Sequence, residues 1–320
     1  MNANETAIVP KPIAKPRRKI KWGRATPYLF IFPWIIGLFA FTLGPLIFSL
    51  VISFFDWPIV GEVRFIGFQN YIEMFTVDPM FWTSLMVTLK FAAFFVPLNL
   101  LIALALAMLL NQKMRGKSFF RTVFYLPSVI SGVALSMIWA WVFSGEYGIL
   151  NYFLSLIGIE GPDWLQSTTW GPIAIVIASL WGQGTMMLIF LAGLKTIPKE
   201  LYEASSIDGA GKVRQFFKIT LPMISPTLLF NLITTIIAAF QQLTLALVLT
   251  GGGPMNSTYF YAMYMYENAF KYAKMGYASA NAWFMFIIVL ALTMVVFKSS
   301  SMWVYYEGEV KNNGKKKRAK

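Results

Sequence analysis

Residues 91–110 read FAAFFVPLNLLIALALAMLL, a run without a charged side chain. About 20 residues of α-helix are needed to cross the hydrocarbon core of a bilayer. Five further apolar runs are candidates for the same role, and the last of them can extend to Tyr305. They span Tyr28–Phe55, Thr122–Phe143, Pro172–Leu194, Ile219–Leu249 and Ala282–Phe297. Numbered along the chain, these are the first, third, fourth, fifth and sixth runs, and residues 91–110 form the second. The sequence therefore predicts an all-α membrane protein with six transmembrane helices.

The composition supports a membrane protein and excludes several kinds of chemistry. Hydrophobic residues make up 57% of the chain and charged residues 13%, whereas soluble domains are about 25% charged. Mean hydropathy is +0.61. The chain has no cysteine and no histidine, so it lacks thiolate metal ligands and the commonest general base. We predict no catalytic residue, no metal and no cofactor.

The net charge of +13 is compatible with nucleic-acid binding or with charges that orient membrane helices. Its distribution favours the second interpretation, because the cations lie in blocks between apolar runs. The tail up to Arg24 carries seven Lys and Arg residues, the 111–121 loop four, the 195–218 loop five and the end from Lys298 seven. The other three connections carry only Arg64, Lys271 and Lys274. Positive-inside orientation then predicts that both termini and the 195–218 loop are cytoplasmic.

These charges also suggest the domain boundaries. We expect a basic cytoplasmic tail over residues 1–26, a six-helix domain over 27–305 with a core at about 85–300, and a second basic tail over 306–320. The first apolar run is too long for the apolar region of a signal peptide and has no small-residue cleavage site, so we interpret it as a retained anchor.

The apolar runs and the loops between them exclude two kinds of energy coupling. They contain no Asp or Glu, which argues against a proton- or sodium-coupled carrier. Lys90 lies at the outer end of the second run, where snorkelling explains it more simply than an intramembrane function. Gly116-Lys117-Ser118 ends like a phosphate-binding loop, but Asn111 stands where its first glycine is required. These observations argue against ion coupling and against ATP binding by this chain itself.

The 195–218 loop has the pattern of two short helices joined by a turn. Pro198 suits a first helical turn, and acidic residues favour the positive end of that helix. Asp208 and Gly209 predict its end, with Gly209 in a left-handed conformation. A second amphipathic segment follows at 213–217. The first helix presents a ridge of mostly small side chains: Leu201, Ala204 and Ser205.

This loop carries a recognisable motif: Glu203-Ala204-Ser205, then Gly209, then Ile219-Thr220-Leu221-Pro222. The spacing resembles the cytoplasmic coupling motif of permease subunits of binding-protein-dependent ABC importers. It departs at Ser205, where the family usually has alanine. Segments 120–127, 139–141, 148–151, 249–254 and 276–280 resemble carbohydrate-uptake permeases of the maltose and glycerol-phosphate type. The resemblance covers about residues 25–305.

The resemblance implies a type I ABC importer transmembrane domain in a bacterial inner or plasma membrane. It implies a second homologous permease subunit, two ABC ATPase subunits at the cytoplasmic face and an extracytoplasmic solute-binding protein. The chain would then be a transporter subunit that is not itself an enzyme, with ATP hydrolysed by partner subunits. The ATPase-coupling residues would be Glu203, Ala204, Ser205 and Gly209. Motion would pass from the ATPases to the helices through this loop.

Polar side chains in the fourth and fifth runs are candidates for the substrate path. A neutral sugar needs amides, hydroxyls and aromatic faces. The fourth run offers Trp181, Gln183 and Thr185, and the fifth offers Asn231, Thr234, Thr235, Gln241 and Gln242. By resemblance, Thr235 and Gln242 occupy positions of polar sugar contacts and Gln241 adjoins them. Thr235 and Gln242 are seven positions apart on the predicted fifth helix, which places them on nearly the same face. Alternatively, these groups bridge helices. The candidates retained for the path are Trp181, Gln183, Thr235, Gln241 and Gln242.

The sequence thus predicts uptake of a sugar or oligosaccharide. One alternative is an ABC permease for another solute, such as glycerol phosphate, an amino acid or a polyamine. Another is a membrane scaffold or sensor that no longer transports. The intact coupling motif argues against the last.

Overall fold

The computed structural model describes residues 26–305, with side-chain environments from Tyr28. The two basic tails predicted at 1–26 and 306–320 therefore lie outside the described residues, apart from Thr26. The chain divides at Ser49 into two compact units. The first contains α1 (Thr26–Gly37), a π-helical turn (Leu38–Leu43) and the beginning of α2 (Gly44–Ile52).

The second unit contains the remaining helices and one two-stranded antiparallel sheet. The strands are β1 (Phe55–Asp56) and β2 (Arg64–Phe65), with Phe55 opposite Phe65. The helices are α3 (Gln69–Thr76), α4 (Pro79–Asn111), α5 (Lys117–Tyr125), α6 (Gly132–Val142), α7 (Ile149–Leu156), α8 (Trp170–Leu180), α9 (Gly184–Thr196), α10 (Lys199–Ile207), α11 (Lys212–Gln215), α12 (Leu221–Met223), α13 (Ser225–Phe240), α14 (Thr244–Leu249), α15 (Tyr261–Tyr266) and α16 (Met275–Trp303).

The described helices include four that are long and apolar enough to span a membrane. They are Tyr28–Ile52, Pro79–Asn111, Ser225–Leu249 and Met275–Trp303, and Ser225–Leu249 consists of α13 and α14 with a short irregular segment at 241–243 between them. Two bent pairs pass the same test: α5 and its 3-10 extension with α6, bent by 102°, and α8 with α9, bent by 51°. If each pair is one span, the number is six. The predicted all-α membrane fold is confirmed.

The predicted third, fourth and fifth runs are not continuous helices. The third is interrupted by a 3-10 turn at Leu126–Val129, where Pro127 lacks a backbone donor. The fourth breaks at 181–183 and the fifth at 241–243. The fifth run is also irregular at its start, because a π-helical turn (Phe216–Thr220) and α12 precede α13.

The second run is longer than its hydrophobicity indicated. α4 has 33 residues, so it is about 50 Å long, well beyond a hydrocarbon core of about 30 Å. Its first turn is capped by Asp78, whose Oδ1 accepts a hydrogen bond from the Met80 N–H at 2.8 Å. Counting back about 20 residues from Asn111 reaches the neighbourhood of Lys90. The exposed Lys90 side chain is consistent with the interfacial position predicted for it.

Helix α4 is the central element of the second unit, in contact with α8, α9 and α13. Its second half packs through fully buried Ala103 and Ala107 against Met187 and Phe190 of α9. Helices in a membrane associate through van der Waals packing because the hydrophobic effect does not act between them, and small side chains allow the close approach that this packing needs. Helix α4 therefore packs against the helices that flank the breaks in the fourth and fifth spans, α8 and α9 in the fourth and α13 in the fifth.

A cluster of phenols holds the first turn of α4 to α15 and α16. The Asp78 Oδ2 accepts hydrogen bonds from the hydroxyls of Tyr264 at 2.7 Å and Tyr277 at 3.1 Å. Nearby, the Tyr259 hydroxyl donates to Glu267 at 2.6 Å. Burial, together with these hydrogen bonds, raises the pKa of Tyr259 and Tyr264 above its usual value. Both phenols therefore keep their protons and act as donors.

Candidate coupling loop and substrate path

The 195–218 loop folds as the sequence predicted. Helix α10 starts after Pro198, which is extended with φ −60° and ψ 134°. It ends at Ile207 and is capped by Asp208. Gly209 follows with φ +77°, the left-handed conformation that glycine adopts without steric cost. The Ala210 N–H then donates to the Ser205 carbonyl at 2.9 Å. These bonds end the helix sharply and turn the chain towards α11.

A glutamine that the sequence analysis missed ties this elbow together. The Gln215 Nε2 donates to the hydroxyls of Ser205 at 3.0 Å and Ser206 at 2.9 Å. One turn away, the hydroxyls of Tyr202 and Thr220 lie 2.8 Å apart. The elbow is therefore held by side chains on both of its arms. Pairing between residues nine or more positions apart leaves no local pattern in a sequence.

The ridge predicted on α10 is divided between two roles. Leu201 and Ala204 are exposed, as is Glu203. Ser205 is half-buried and its hydroxyl bonds within the elbow, so it belongs to the internal tie. The most exposed large apolar side chain here is Ile207, at 87%. A partly apolar exposed surface on an ordered elbow is typical of a contact site.

The break in the fourth span exposes one candidate path residue and buries another. Trp181 ends α8, is 41% exposed, and meets Trp139 edge-on with 5.6 Å between ring centres. Gln183 precedes α9 and is 5% exposed. Neither of its amide atoms has a hydrogen-bond partner within the described residues. A buried amide in this state costs roughly 1–3 kcal/mol, so Gln183 is a position where a further polar group would be stabilising.

The break in the fifth span corrects one expectation. We expected Thr235 and Gln242 on nearly the same face of one helix, but α13 ends at Phe240. Gln241 is exposed, whereas Gln242 is half-buried. The Gln242 Nε2 donates to the hydroxyl of Ser179 at 2.9 Å. The two breaks are thus joined by a hydrogen bond between α8 and Gln242, which lies between α13 and α14. Ser179 is a member of the site that the sequence did not reveal.

Thr235 lies deeper, between α4 and α13. Its side chain is 2% exposed, and its hydroxyl donates to the Asn231 carbonyl at 2.6 Å. The Asn99 Nδ2 donates to the Thr235 hydroxyl at 3.4 Å. The Asn231 amide itself has no partner in the described part of the chain. The structure therefore places Thr235 in a buried polar cluster with Asn99 and Asn231, whereas Gln242 is hydrogen-bonded to Ser179.

The model of one protein family matches residues 99–306. It is described as the binding-protein-dependent transport system inner membrane component. The chain belongs to this family. The permease is thus a multi-pass subunit of an ABC transporter in the bacterial inner membrane. No group of three or more acidic residues that could hold a metal occurs in the described residues.

Two relatives and one solved structure extend this result. The permease is 43% identical to the probable ABC transporter permease protein YesP of Bacillus subtilis, over 92% of this chain and 96% of the relative. It is 36% identical to the sulfoquinovosyl glycerol transport system permease protein SmoG of Agrobacterium fabrum, over 86% and 90%. Its fold is similar to a chain of a bacterial alginate ABC transporter crystallised with an alginate pentasaccharide-bound periplasmic protein, with a TM-score of 0.77, 22% identity and coverage of 88% and 95%.

Proposed function

We propose that this permease forms half of the membrane path of an ATP-driven importer for a sugar or oligosaccharide. The observation that carries the proposal is the hydrogen bond between Gln242 and Ser179, which joins two broken spans around polar and aromatic side chains. Broken helices expose backbone and side-chain polar groups only where they are buried in protein or line a cavity. The relative named for sulfoquinovosyl glycerol, a glycoside, supports a carbohydrate substrate.

The other parts of the importer follow from the same proposal. A second, homologous permease completes the path, and an extracytoplasmic binding protein delivers the solute. Two separate ATPase subunits contact the exposed face of α10 around Glu203, Ala204 and Ile207. Ser205 and Gly209 contribute by holding the elbow in shape. Because the elbow is braced by Gln215, it would transmit ATPase closure as a rigid body.

The orientation can be tested with single cysteines, because the chain has none of its own. Met255 is 89% exposed in the connection before α15, and Lys212 is exposed on the elbow. We expect Met255→Cys to react with a membrane-impermeant thiol reagent in intact cells and Lys212→Cys to react only after the cells are opened. The reverse pattern would contradict both the orientation and the coupling role. Gly252 would be a poor choice of site, because a Cβ there would lie 2.7 Å from the Tyr259 ring.

The path can be tested by separating the two possible roles of Gln242. If Gln242 contacts the sugar, Gln242→Leu leaves a sugar hydroxyl unpaired at a cost of roughly 1–3 kcal/mol, so uptake falls about five- to hundredfold. Ser179→Ala removes only the internal hydrogen bond and should reduce uptake far less. Gln241→Leu, at the exposed neighbour, should also be milder. The measurement is the initial rate of uptake of the labelled saccharide that wild-type cells accumulate.

Equal losses in Gln242→Leu and Ser179→Ala, with less folded permease in the membrane, would show that Gln242 only joins the two spans. Normal uptake in Gln242→Leu would remove it from the path. Competition by unlabelled solutes tests the substrate class. Displacement by glycerol phosphate, an amino acid or a polyamine, with no displacement by saccharides, would overturn the sugar assignment.

A further inference from the structure

Three cations meet where α4 ends, α5 begins and α9 ends. The Lys117 Nζ donates to the carbonyl of Gln112 at 3.3 Å. Arg121 lies four residues further along α5, on the same face. Lys195 lies in the last turn of α9, and α9 packs against α5. We call these three residues, Lys117, Arg121 and Lys195, the basic crevice.

The described chain supplies no anion to the basic crevice. Within residues 26–305, the ion pairs are formed elsewhere, by Arg64, Lys271 and Lys274. The Arg121 Nε is buried and has no hydrogen-bond partner among the described residues. Leaving a charged donor buried and unbonded is costly, and like charges held together repel one another. An anion in the crevice would relieve both costs.

The surroundings of the crevice indicate which anion fits. The face of α5 turned away from Lys117 and Arg121 is apolar and exposed, with Phe119 at 66% and Val123 at 45%. Leu126, just beyond α5, is 59% exposed. A helix with one basic face and one apolar face is typical of the boundary between headgroups and acyl chains. An α5 helix at this boundary turns the basic face with Lys117 and Arg121 towards the headgroups, so an anion held there can belong to a lipid headgroup.

We propose that the basic crevice binds the phosphate of an anionic phospholipid. The Arg121 guanidinium supplies directed donors, whereas Lys117 and Lys195 act as compact charges that neutralise the phosphate. The acyl chains would extend past α5 into the bilayer, at the depth where Phe119 and Val123 are exposed. The lipid would hold together the elements that precede the 195–218 loop, and this function does not depend on which solute is carried.

The test compares the purified full-length permease with two double variants that each remove two positive charges. Lys117→Gln/Arg121→Gln alters the crevice, and Lys271→Gln/Lys274→Gln is the matched control in the connection before α16. Native mass spectrometry counts bound lipid during titration with phosphatidylglycerol or phosphatidylcholine. We expect wild type and control to retain phosphatidylglycerol, and the crevice variant to bind it roughly 30-fold more weakly. Phosphatidylcholine should bind all three proteins alike.

Three results would overturn the proposal. The crevice variant could retain phosphatidylglycerol as well as the control does. Inorganic phosphate alone could displace the lipid at equal concentration, which would indicate a site for a free anion. Finally, the crevice variant could still bind phosphatidylglycerol but lose its ATPase subunits in phosphatidylcholine nanodiscs. That result would indicate that the crevice contacts a protein. If the double variant does not fold, the single variant Lys195→Gln replaces it and is expected to weaken phosphatidylglycerol binding about fivefold.

Discussion

Replacing Gly184 with alanine is expected to produce the largest loss of stability of any conservative change in the fourth span. Gly184 opens α9 directly beneath the 3-10 turn that follows α5. A Cβ at this position would lie 2.5 Å from the Tyr125 Cα and 2.7 Å from the Phe124 carbonyl oxygen. Both neighbours are backbone atoms, so no side-chain rotation relieves the overlap. Either α9 or the break in the third span must move.

The expected cost is at the upper end of the roughly 1–3 kcal/mol found for overpacking. For a protein of this size, that corresponds to a melting temperature about 6–10 °C lower. Uptake should fall as well, because the movement would displace Gln183, one residue away. The melting temperature of the purified permease and its yield from membranes are the two measurements.

Gly182 provides a control two residues away in the same break. A Cβ there would meet only the Ser179 carbonyl, at 4.0 Å, so Gly182→Ala should leave the melting temperature within about 1–2 °C of wild type. If both variants behaved alike, the close approach of α9 to Tyr125 would not be what holds the two spans together.

Gly209→Pro is expected to abolish uptake while leaving the membrane helices folded. Proline requires φ near −65°, whereas Gly209 has φ +77°. The substitution also removes the hydrogen bond that the Gly209 N–H donates to the Ser206 carbonyl at 3.1 Å. The end of α10 must therefore unwind, which separates Ser205 and Ser206 from Gln215. The surface around Ala204 and Ile207 would then lose its shape.

The same substitution at Gly211 should be tolerated far better. Gly211 has φ −68°, a Cβ there would meet nothing within 4 Å, and its N–H makes no hydrogen bond in the described chain. Uptake, ATPase co-purification and permease yield should be measured for both variants. If Gly211→Pro also abolished uptake, the effect would come from loop stiffness and not from the left-handed turn. Normal uptake in Gly209→Pro would refute coupling through the elbow.

Glu203→Lys, on the exposed face, should reduce ATPase binding without disturbing the elbow.

The sequence determined the features that depend on local chemistry. Hydrophobic run length is a property of consecutive residues, so the six spans could be counted before any packing was known. The end of α10 was predictable for the same reason, because Asp208 and Gly209 act on their own backbone. The motif around Glu203 likewise depends only on spacing along the chain, and the family match over residues 99–306 confirmed the resemblance.

Tertiary structure alone decided how the polar groups within the spans are paired. Periodicity placed Thr235 and Gln242 on one face because it assumed a continuous helix, but α13 stops at Phe240. Once the helix breaks, the angle between residues no longer follows from their spacing. Gln242 then reaches Ser179 on α8, and Gln215 reaches the hydroxyls of α10. These are contacts between distant segments, whose geometry depends on how closely Gly184, Ala103 and Ala107 let the helices approach.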